Sequence, residues 1–244
     1  YNAGGDITTG SNNVAIGRAA LDAVTTGGSM VAIGYNAGGN YTGSNNFVAI
    51  GSSCFSGSGG MVESVGVGPS VGTAMTSGQW NVFVGSAVAA ANTGGSSNVY
   101  IGQRVSGNSN VAGTGSNNVG IGDNALYNQS SGNQNTAVGK QAGNSLTTGA
   151  NNTILGYDAD ASSATVSNEI TIGNASATRF RLPGLQAGAS DGQVMTYDSS
   201  TGLIDLADAG GGATGGGSDQ IFYENGQSVT TNYTISNGKN AMSA

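Results

Sequence analysis

Histidine is absent from this sequence of 244 residues, and cysteine occurs once, as Cys54. Without histidine, the chain lacks the usual general base at neutral pH and the commonest nitrogen ligand of zinc. A single cysteine excludes an intramolecular disulfide framework and a cysteine-based zinc site. We therefore predict no catalytic residue, no metal site and no cofactor, and we expect a protein that is not an enzyme.

Charge and long apolar runs are also scarce. Charged residues make up 8% of the chain, and its net charge is −7. Six dispersed cations form no basic patch, so nucleic acid is not an expected partner. The sequence has no apolar run long enough to span a bilayer, and we expect no membrane insertion. The chain begins in mid-pattern at Tyr1 and stops at Ala244 without a closing signal, so we expect a fragment of a longer protein.

Large aliphatic side chains are few and glycines are many. The sequence has 45 glycines, whereas Leu, Ile, Val and Phe together number 44. Such a composition usually cannot bury enough apolar surface to offset the entropy of ordering the chain. It therefore indicates either disorder or a thin repetitive architecture, and a search for a fixed period decides between them.

A seventeen-residue repeat is present. The tetrapeptide Val14-Ala15-Ile16-Gly17 returns at Val31 and Val48, and weaker copies bring the total to ten. All steps are equal except the one from Val99 to Val119, which is longer by three. We number each copy from the first residue of its tetrapeptide, which is position 0. Glycine closes every copy at position +3: Gly17, Gly34, Gly51, Gly68, Gly85, Gly102, Gly122, Gly139, Gly156 and Gly173.

Positions 0 and +2 carry mostly β-branched or other aliphatic residues, which lie on the same side of an extended strand. We predict that this side faces the interior of each coil and that the more variable position +1 faces outward or into a looser contact. The glycines at position +3 are predicted turn residues. The predicted repeat core is Val14, Ile16, Val31, Ile33, Val48, Ile50, Val65, Val67, Val82, Val84, Val99, Ile101, Val119, Ile121, Val138, Leu155, Ile170 and Ile172. On this assignment, Ile33→Asp would place an unpaired charge in a dry coil and destabilise it severely.

Three further positions follow the same period. Position +6 is small and mostly apolar, and it includes Cys54, which we predict to be a packed core thiol. Position −4 is glycine in seven copies. Position −1 is asparagine in six copies, a residue that tolerates left-handed turn geometry and would form amide ladders if the copies stack in register. Phe47 and Trp80, just before their tetrapeptides, are predicted surface residues.

One short apolar strand in each copy predicts one coil of a parallel β-solenoid rather than a hairpin or a helix. Nine intervals of about 4.8 Å give a rod about 43 Å long. Its predicted core is thin, and a thin core favours lateral association into an oligomer.

The segment Asn12-Asn13-Val14-Ala15-Ile16-Gly17, followed by Ala19-Ala20, resembles the head repeat of YadA-type trimeric autotransporter adhesins. The resemblance covers residues 1–176 and implies a left-handed parallel β-roll that forms a homotrimer. This sequence departs from the family in its longer repeat.

After residue 176 the period ends. We predict a cap or neck at 177–185 that contains Arg179, Phe180, Arg181 and Pro183. We interpret the two arginines as a cap or as a pair that bridges subunits, in preference to a ligand site. A small hairpin-like β unit is predicted at 186–209, a glycine-rich linker at 210–219 and the start of a further β module at 220–244. The fold class is therefore all-β, a β-roll followed by small β modules.

Two C-terminal motifs resemble modules of bacteriophage fibre proteins, closest to tail-fibre-like proteins of cyanophages. One is Asn168-Glu169-Ile170-Thr171-Ile172-Gly173-Asn174 running into Phe180-Arg181-Leu182-Pro183-Gly184, and the other begins at Gln220. The resemblance implies a structural fibre on the virion surface. Its partners would be other virion proteins and a host cell-surface glycan or protein.

Two alternatives stay open. The first is that the chain is the head of a bacterial surface adhesin, which binds matrix or glycans at the cell surface. The second, which is less favoured, is a fibre that depolymerises polysaccharide. Asp158, Asp160 and Glu169 form the densest acidic cluster, which we interpret as a solvated surface rather than a cation site. Coils this short are too small for the long carboxylate-lined groove of a polysaccharide-degrading β-helix.

Overall fold

The computed structural model describes residues 2–42, 46–57, 59, 62–108, 110–182, 193–198 and 203–208. The chain divides into two compact units, Tyr1–Thr178 and Arg179–Ala244. All the regular elements of the described residues are β-strands. The predicted linker at 210–219 and the predicted module at 220–244 lie outside the described residues.

The first unit contains ten short strands, one in each copy of the repeat. They are β1 (Val14–Ile16), β2 (Val31–Ile33), β3 (Val48–Ile50), β4 (Val65–Val67), β5 (Val82–Ser86), β6 (Val99–Gln103), β7 (Val119–Ile121), β8 (Thr136–Val138), β9 (Thr153–Leu155) and β10 (Ile170–Ile172). Each strand ends at or near the glycine of position +3.

The ten strands form one sheet in chain order, and every neighbouring pair is parallel. Position 0 of each strand pairs with position 0 of the next, including Val99 with Val119 across the longer coil. The period of the sequence therefore predicted the register, and the parallel β-solenoid is confirmed.

The glycines at position +3 follow the strand in eight copies, and Gly85 and Gly102 lie within β5 and β6. Two constraints require glycine at this position. All ten have positive φ, which side chains rarely adopt. They also pack closely against the next coil: a Cβ at Gly85 would lie 1.6 Å from the carbonyl oxygen of Gly102. No larger residue fits at such a position.

The left-handed backbone conformation recurs elsewhere in the coil. Positions −2 and +5 have positive φ in nearly every copy, for example 60° at Asn117 and 59° at Gln134. The asparagines at position −1 can tolerate this conformation but do not adopt it.

The interior of the coil differs from the prediction. Position +1 is fully buried at Ala32, Ala49 and Phe83, whereas the flanking residues at positions 0 and +2 are half-buried or exposed. Alternation along a strand allows only one of the two sets to face inward. The prediction that the residues of positions 0 and +2 form the core of the coil is therefore wrong. Position +1 points into the coil, so of the two alternatives predicted for it the outward one is wrong.

Large side chains from other positions help to fill the interior. An aromatic row runs along the coils from Tyr41 through Phe47, Phe55 and Phe83 to Tyr100, with ring centroids separated by 5.7, 6.3, 6.1 and 5.3 Å in turn. These separations are typical of favourable aromatic pairs. The surface prediction for Phe47 is wrong because its side chain is fully buried, whereas Trp80 is exposed as predicted.

Rings of one coil occupy space that small residues of the neighbouring coil leave open. A Cβ at Gly66 would lie 2.8 Å from the Phe55 ring, and one at Gly72 would lie 2.7 Å from the same ring. The two glycines leave the space that Phe55 occupies. The predicted small stripe at position +6 is confirmed as interior up to Ala159, and Cys54 is a buried free thiol.

A ladder of buried asparagines at position −1 links successive coils. The Oδ1 atom of Asn118 accepts a hydrogen bond from the backbone N–H of Asn135 at 2.9 Å, and its Nδ2 donates to Asn98 at 3.1 Å and to the Gly132 carbonyl at 3.0 Å. The same pattern continues to Asn152. The predicted amide ladder is confirmed, and it satisfies polar groups that water does not reach.

The second unit contains β11 (Gln193–Asp198) and β12 (Leu203–Asp208), which pair antiparallel with Gln193 opposite Asp208. Both strands lie in the segment where the sequence predicted a hairpin-like unit. The unit as a whole, 186–209, stays a prediction.

Candidate functional site

The outward side of the ten-stranded sheet is apolar along its whole length. We call it the strand face, and it consists of positions 0 and +2 of β1–β10. Its residues are Val14, Ile16, Val31, Ile33, Val48, Ile50, Val65, Val67, Val82, Val84, Val99, Ile101, Val119, Ile121, Thr136, Val138, Thr153, Leu155, Ile170 and Ile172. All but the two threonines are Val, Ile or Leu.

Solvent reaches these side chains in the single chain. Ile50, Ile121 and Val138 are each 36% exposed, and the value rises to 75% at Ile170 in the last coil. The face extends over nine strand spacings of about 4.8 Å, or about 43 Å, and its width is that of a three-residue strand, about 7–10 Å. A stripe of this size is comparable with the largest apolar patch of an ordinary monomer, which is often functional, so the strand face is a candidate interaction surface.

The strands that form this face are apolar on both sides. In β3, for example, Val48 and Ile50 point outward while Ala49 points into the coil. Parallel sheets with such strands are normally covered on both faces. One side of this sheet is covered by the chain's own interior, and the other side is the strand face.

The coils hold the strand face rigidly. Each strand is bonded to the next, and backbone bonds continue through the turns, such as Gly34 N–H to the Ile16 carbonyl at 2.8 Å and Asn36 N–H to the Arg18 carbonyl at 2.9 Å. With the buried amide ladder, these bonds fix the spacing of successive coils. The arrangement can present a preorganised surface, and preorganisation lowers the ordering cost of association.

The carboxylates of the acidic cluster accept hydrogen bonds from neighbouring residues. The Glu169 carboxylate accepts hydrogen bonds from Ser162 and from the Thr171 hydroxyl, and these bonds hold the pKa of Glu169 below its usual value. The Asp160 carboxylate accepts from the backbone N–H groups of Ser145 and Ala161. Within the described residues, no three His, Cys, Asp or Glu side chains are grouped as a metal ion requires.

The buried ionisable groups are neutral parts of the interior. Burial raises the pKa of the Cys54 thiol to about 12 and raises the pKa values of Tyr41 and Tyr100 above their usual value. The Tyr100 hydroxyl donates to Gln129 Oε1 at 2.9 Å. A thiol held in its protonated form is a poor nucleophile, so Cys54 offers no reactive centre.

The predicted cap residues begin the second unit. Arg179, Phe180 and Arg181 are exposed, and Pro183 lies outside the described residues. Across the part of the chain that the structure describes, no helix has the length and hydropathy needed to cross a membrane.

No protein-family model matches this chain, and comparisons with curated proteins and with solved structures find no match either. The resemblances to trimeric autotransporter heads and to phage fibre modules therefore stay predictions, which rest on the residues quoted for them.

Proposed function

We propose that this chain is a structural segment of a fibre on a bacteriophage virion, a left-handed β-roll that assembles into a homotrimer through its strand face. The observation that carries the proposal is that face: eighteen aliphatic side chains in two rows, on a sheet that is apolar on both sides. A second copy of the same chain is the partner that fits it, because rows with the same spacing align strand by strand along a common axis.

The energetics favour assembly. Full burial of one aliphatic side chain contributes about 1.5–3 kcal/mol. Nine of the eighteen are at least 36% exposed, so each of these still has about a third or more of that burial to gain. Nine such gains amount to about 5–9 kcal/mol, which is comparable with the ordinary cost of bringing chains together, about 4–15 kcal/mol, and the half-buried members add to it. The number three comes from the resemblance to trimeric autotransporter heads.

The proposed role is mechanical and not enzymatic: the rod projects a distal part of the fibre or itself forms a host-attachment surface. The coil-to-coil hydrogen bonds, the aromatic row and the amide ladder support it, because they make a stiff spacer. The C-terminal motifs that resemble phage fibre modules support a position on the virion, where the other partners would be virion proteins and a host surface glycan or protein.

The head of a bacterial trimeric adhesin is the second candidate. The repeat Asn-Asn-Val-Ala-Ile-Gly favours it, since this is the segment that resembles the adhesin family. Both candidates share the trimeric roll and differ in where the protein is displayed.

Two experiments test the proposal. Sedimentation of the full chain at micromolar concentration is expected to give three times the mass of one chain, which is 23.7 kDa; a folded monomer would overturn the assembly. Immunogold labelling of purified phage particles and of bacterial surfaces then separates the candidates. Label confined to virions supports the fibre, and label confined to cells supports the adhesin.

A further inference from the structure

A polar groove crosses three successive coils, away from the strand face. Six residues line it, and its volume is about 240 Å³. Arg104, Asn124 and Gln141 stand at position +5 of the coils that begin with β6, β7 and β8, and we call this row the first wall. Tyr127, Asn128 and Asn144 complete the lining at positions +8 and +9.

The fold does not require these side chains. Position +5 is Ser53, Ser70 and Ala87 in the three coils that begin with β3, β4 and β5, and those residues have the same positive φ. Position +8 is likewise small there, for example Thr73 and Ala90. Large polar side chains are thus concentrated directly beside a stretch of the same face that is built from small residues.

The one coil of irregular length adjoins this groove. The longer coil between β6 and β7 brings Asn108 to the rim, where its Nδ2 donates to Oδ1 of Asn128. The chain therefore departs from the repeat in two ways at the same place: the side chains at positions +5 and +8 are larger, and the coil is longer by three residues. Loops and insertions carried on a rigid scaffold are where binding residues concentrate.

Backbone bonds between coils hold the first wall in place. The N–H groups of Arg104, Asn124 and Gln141 donate to carbonyls of the preceding coil at 2.9, 2.9 and 2.8 Å. The three side chains therefore stand in a row, one coil apart, at a spacing of about 4.8 Å. The backbone of this row is fixed before any ligand binds, which lowers the part of the ordering cost that the backbone would otherwise contribute.

The groove offers hydrogen-bonding groups and one aromatic ring. The side-chain amides of Asn124, Gln141 and Asn144 make no hydrogen bond to any of the described residues. Each amide both donates and accepts, as a sugar hydroxyl does. Tyr127 adds an aromatic ring and a hydroxyl, and the guanidinium of Arg104 lies 5.9 Å from the centre of that ring.

We infer that this groove binds a neutral saccharide. The side-chain amides would form hydrogen bonds with its hydroxyl groups, and the Tyr127 ring would pack against the apolar face of a sugar ring. A nucleic acid would need several cations, whereas Arg104 is the single cation among the six lining residues. A peptide would need apolar pockets for its side chains, and every lining residue is polar.

The groove is smaller than the ~300–1,000 Å³ of pockets that enclose whole ligands, which suits recognition of one or two units of a longer glycan. No carboxylate is among the six lining residues, so the groove would bind glycan without hydrolysing it. The inference deepens the proposed attachment role and rests on it.

The repeat itself supplies variants that preserve the coil. Asn124→Ser, Tyr127→Thr and Gln141→Ser combined install residues that already occupy positions +5 and +8 in other coils. Tyr35→Ser is the matched control: it removes an exposed tyrosine outside the groove and installs the residue found at the same position as Ser52. We expect both variants to keep the wild-type far-UV spectrum and sedimentation coefficient.

The assay is binding of the labelled full chain to an array of neutral and acidic bacterial surface glycans, followed by calorimetry with the best neutral oligosaccharide. The expected result is retention on at least one neutral glycan, weakened tenfold or more by the triple variant and less than twofold by Tyr35→Ser. Absence of neutral glycan binding, equal binding by the triple variant, or retention only on acidic glycans would each overturn the inference. Sedimentation of the same samples reports on the trimer separately, so failure of the glycan site is distinguishable from failure of the assembly.

Discussion

Ala32 and Ile33 are adjacent in β2, and placing an aspartate at each in turn distinguishes the inside of the coil from the strand face. Ala32 is fully buried and pairs with Ala15 and Ala49 of the neighbouring strands. Ile33 points the other way and is half-buried in the strand face. The two substitutions add the same charge at neighbouring positions, so the difference between them reports on side-chain direction.

The two costs differ in kind. At Ala32, an unpaired carboxylate in a dry interior costs about 3–5 kcal/mol, a large part of the stability of a domain, which is ordinarily about 5–15 kcal/mol. At Ile33, a single chain loses about 1 kcal/mol of apolar contact. In the proposed trimer, the same substitution buries three carboxylates, and the cost to assembly is on the order of 10 kcal/mol.

Circular dichroism and sedimentation velocity at micromolar concentration separate these outcomes. Ala32→Asp is expected to lower the melting temperature by about 6–20 °C or to prevent folding. Ile33→Asp is expected to keep the β-sheet spectrum but to sediment as a monomer with the mass of one chain, 23.7 kDa. Thr148→Asp, at an exposed position outside the strand face, is the control and should remain trimeric. A variant Ile33→Asp that unfolds while Ala32→Asp stays folded and trimeric would refute the assignment of the two faces.

Three further predictions follow from the interior and the turns. Asn118→Asp replaces an amide of the ladder by a buried carboxyl group, and burial raises the pKa of that group in the folded state. The variant protein should therefore keep its stability below pH about 4, where the carboxyl group is protonated, and lose stability as the pH rises. Denaturant unfolding at pH 7 should show a loss of several kcal/mol in the free energy of unfolding. Position −2 has the left-handed conformation, which asparagine tolerates better than glutamine. Gln134→Asn should therefore stabilise the chain by about 0.5–1 kcal/mol, and Asn117→Gln should destabilise it by a similar amount. Equal midpoints of denaturant unfolding for the two variants would contradict this. Cys54 should resist thiol reagents at pH 8 until denaturant unfolds the chain, and rapid labelling of the native protein would contradict its burial.

The sequence was sufficient to predict the features that depend on the period. Strand positions, parallel register, turn glycines and the amide ladder all depend on contacts between equivalent residues of successive coils. The hydrogen bond between Asn118 and Asn135 is an example. Such contacts require the same residue type in successive coils, and the requirement is visible as a repeat.

The direction in which the strand side chains point could not be predicted in the same way. Val-Ala-Ile is apolar on both sides, and the larger residues at positions 0 and +2 favoured the wrong side as the core. The groove was also missed, although it had a signal: Arg104, Tyr127 and Gln141 stand at positions where the coils of β4 and β5 carry small residues. A search for departures from the repeat, rather than for the repeat itself, would have found it.

The two faces of the sheet follow opposite rules of sequence variation. The interior must keep a constant total volume, but coils share that volume, and Phe55 is accommodated because Gly66 and Gly72 are small. Residue types at position +1 therefore change from coil to coil, although position +6 stays small. A surface that meets copies of itself cannot exchange volume between coils in this way, and each strand must present nearly the same side chains. Near-uniform side chains at positions 0 and +2, Val or Ile in all but three places, are therefore what an assembly face requires. Variation at position +1, from Ala49 to Phe83, is what a packed interior permits.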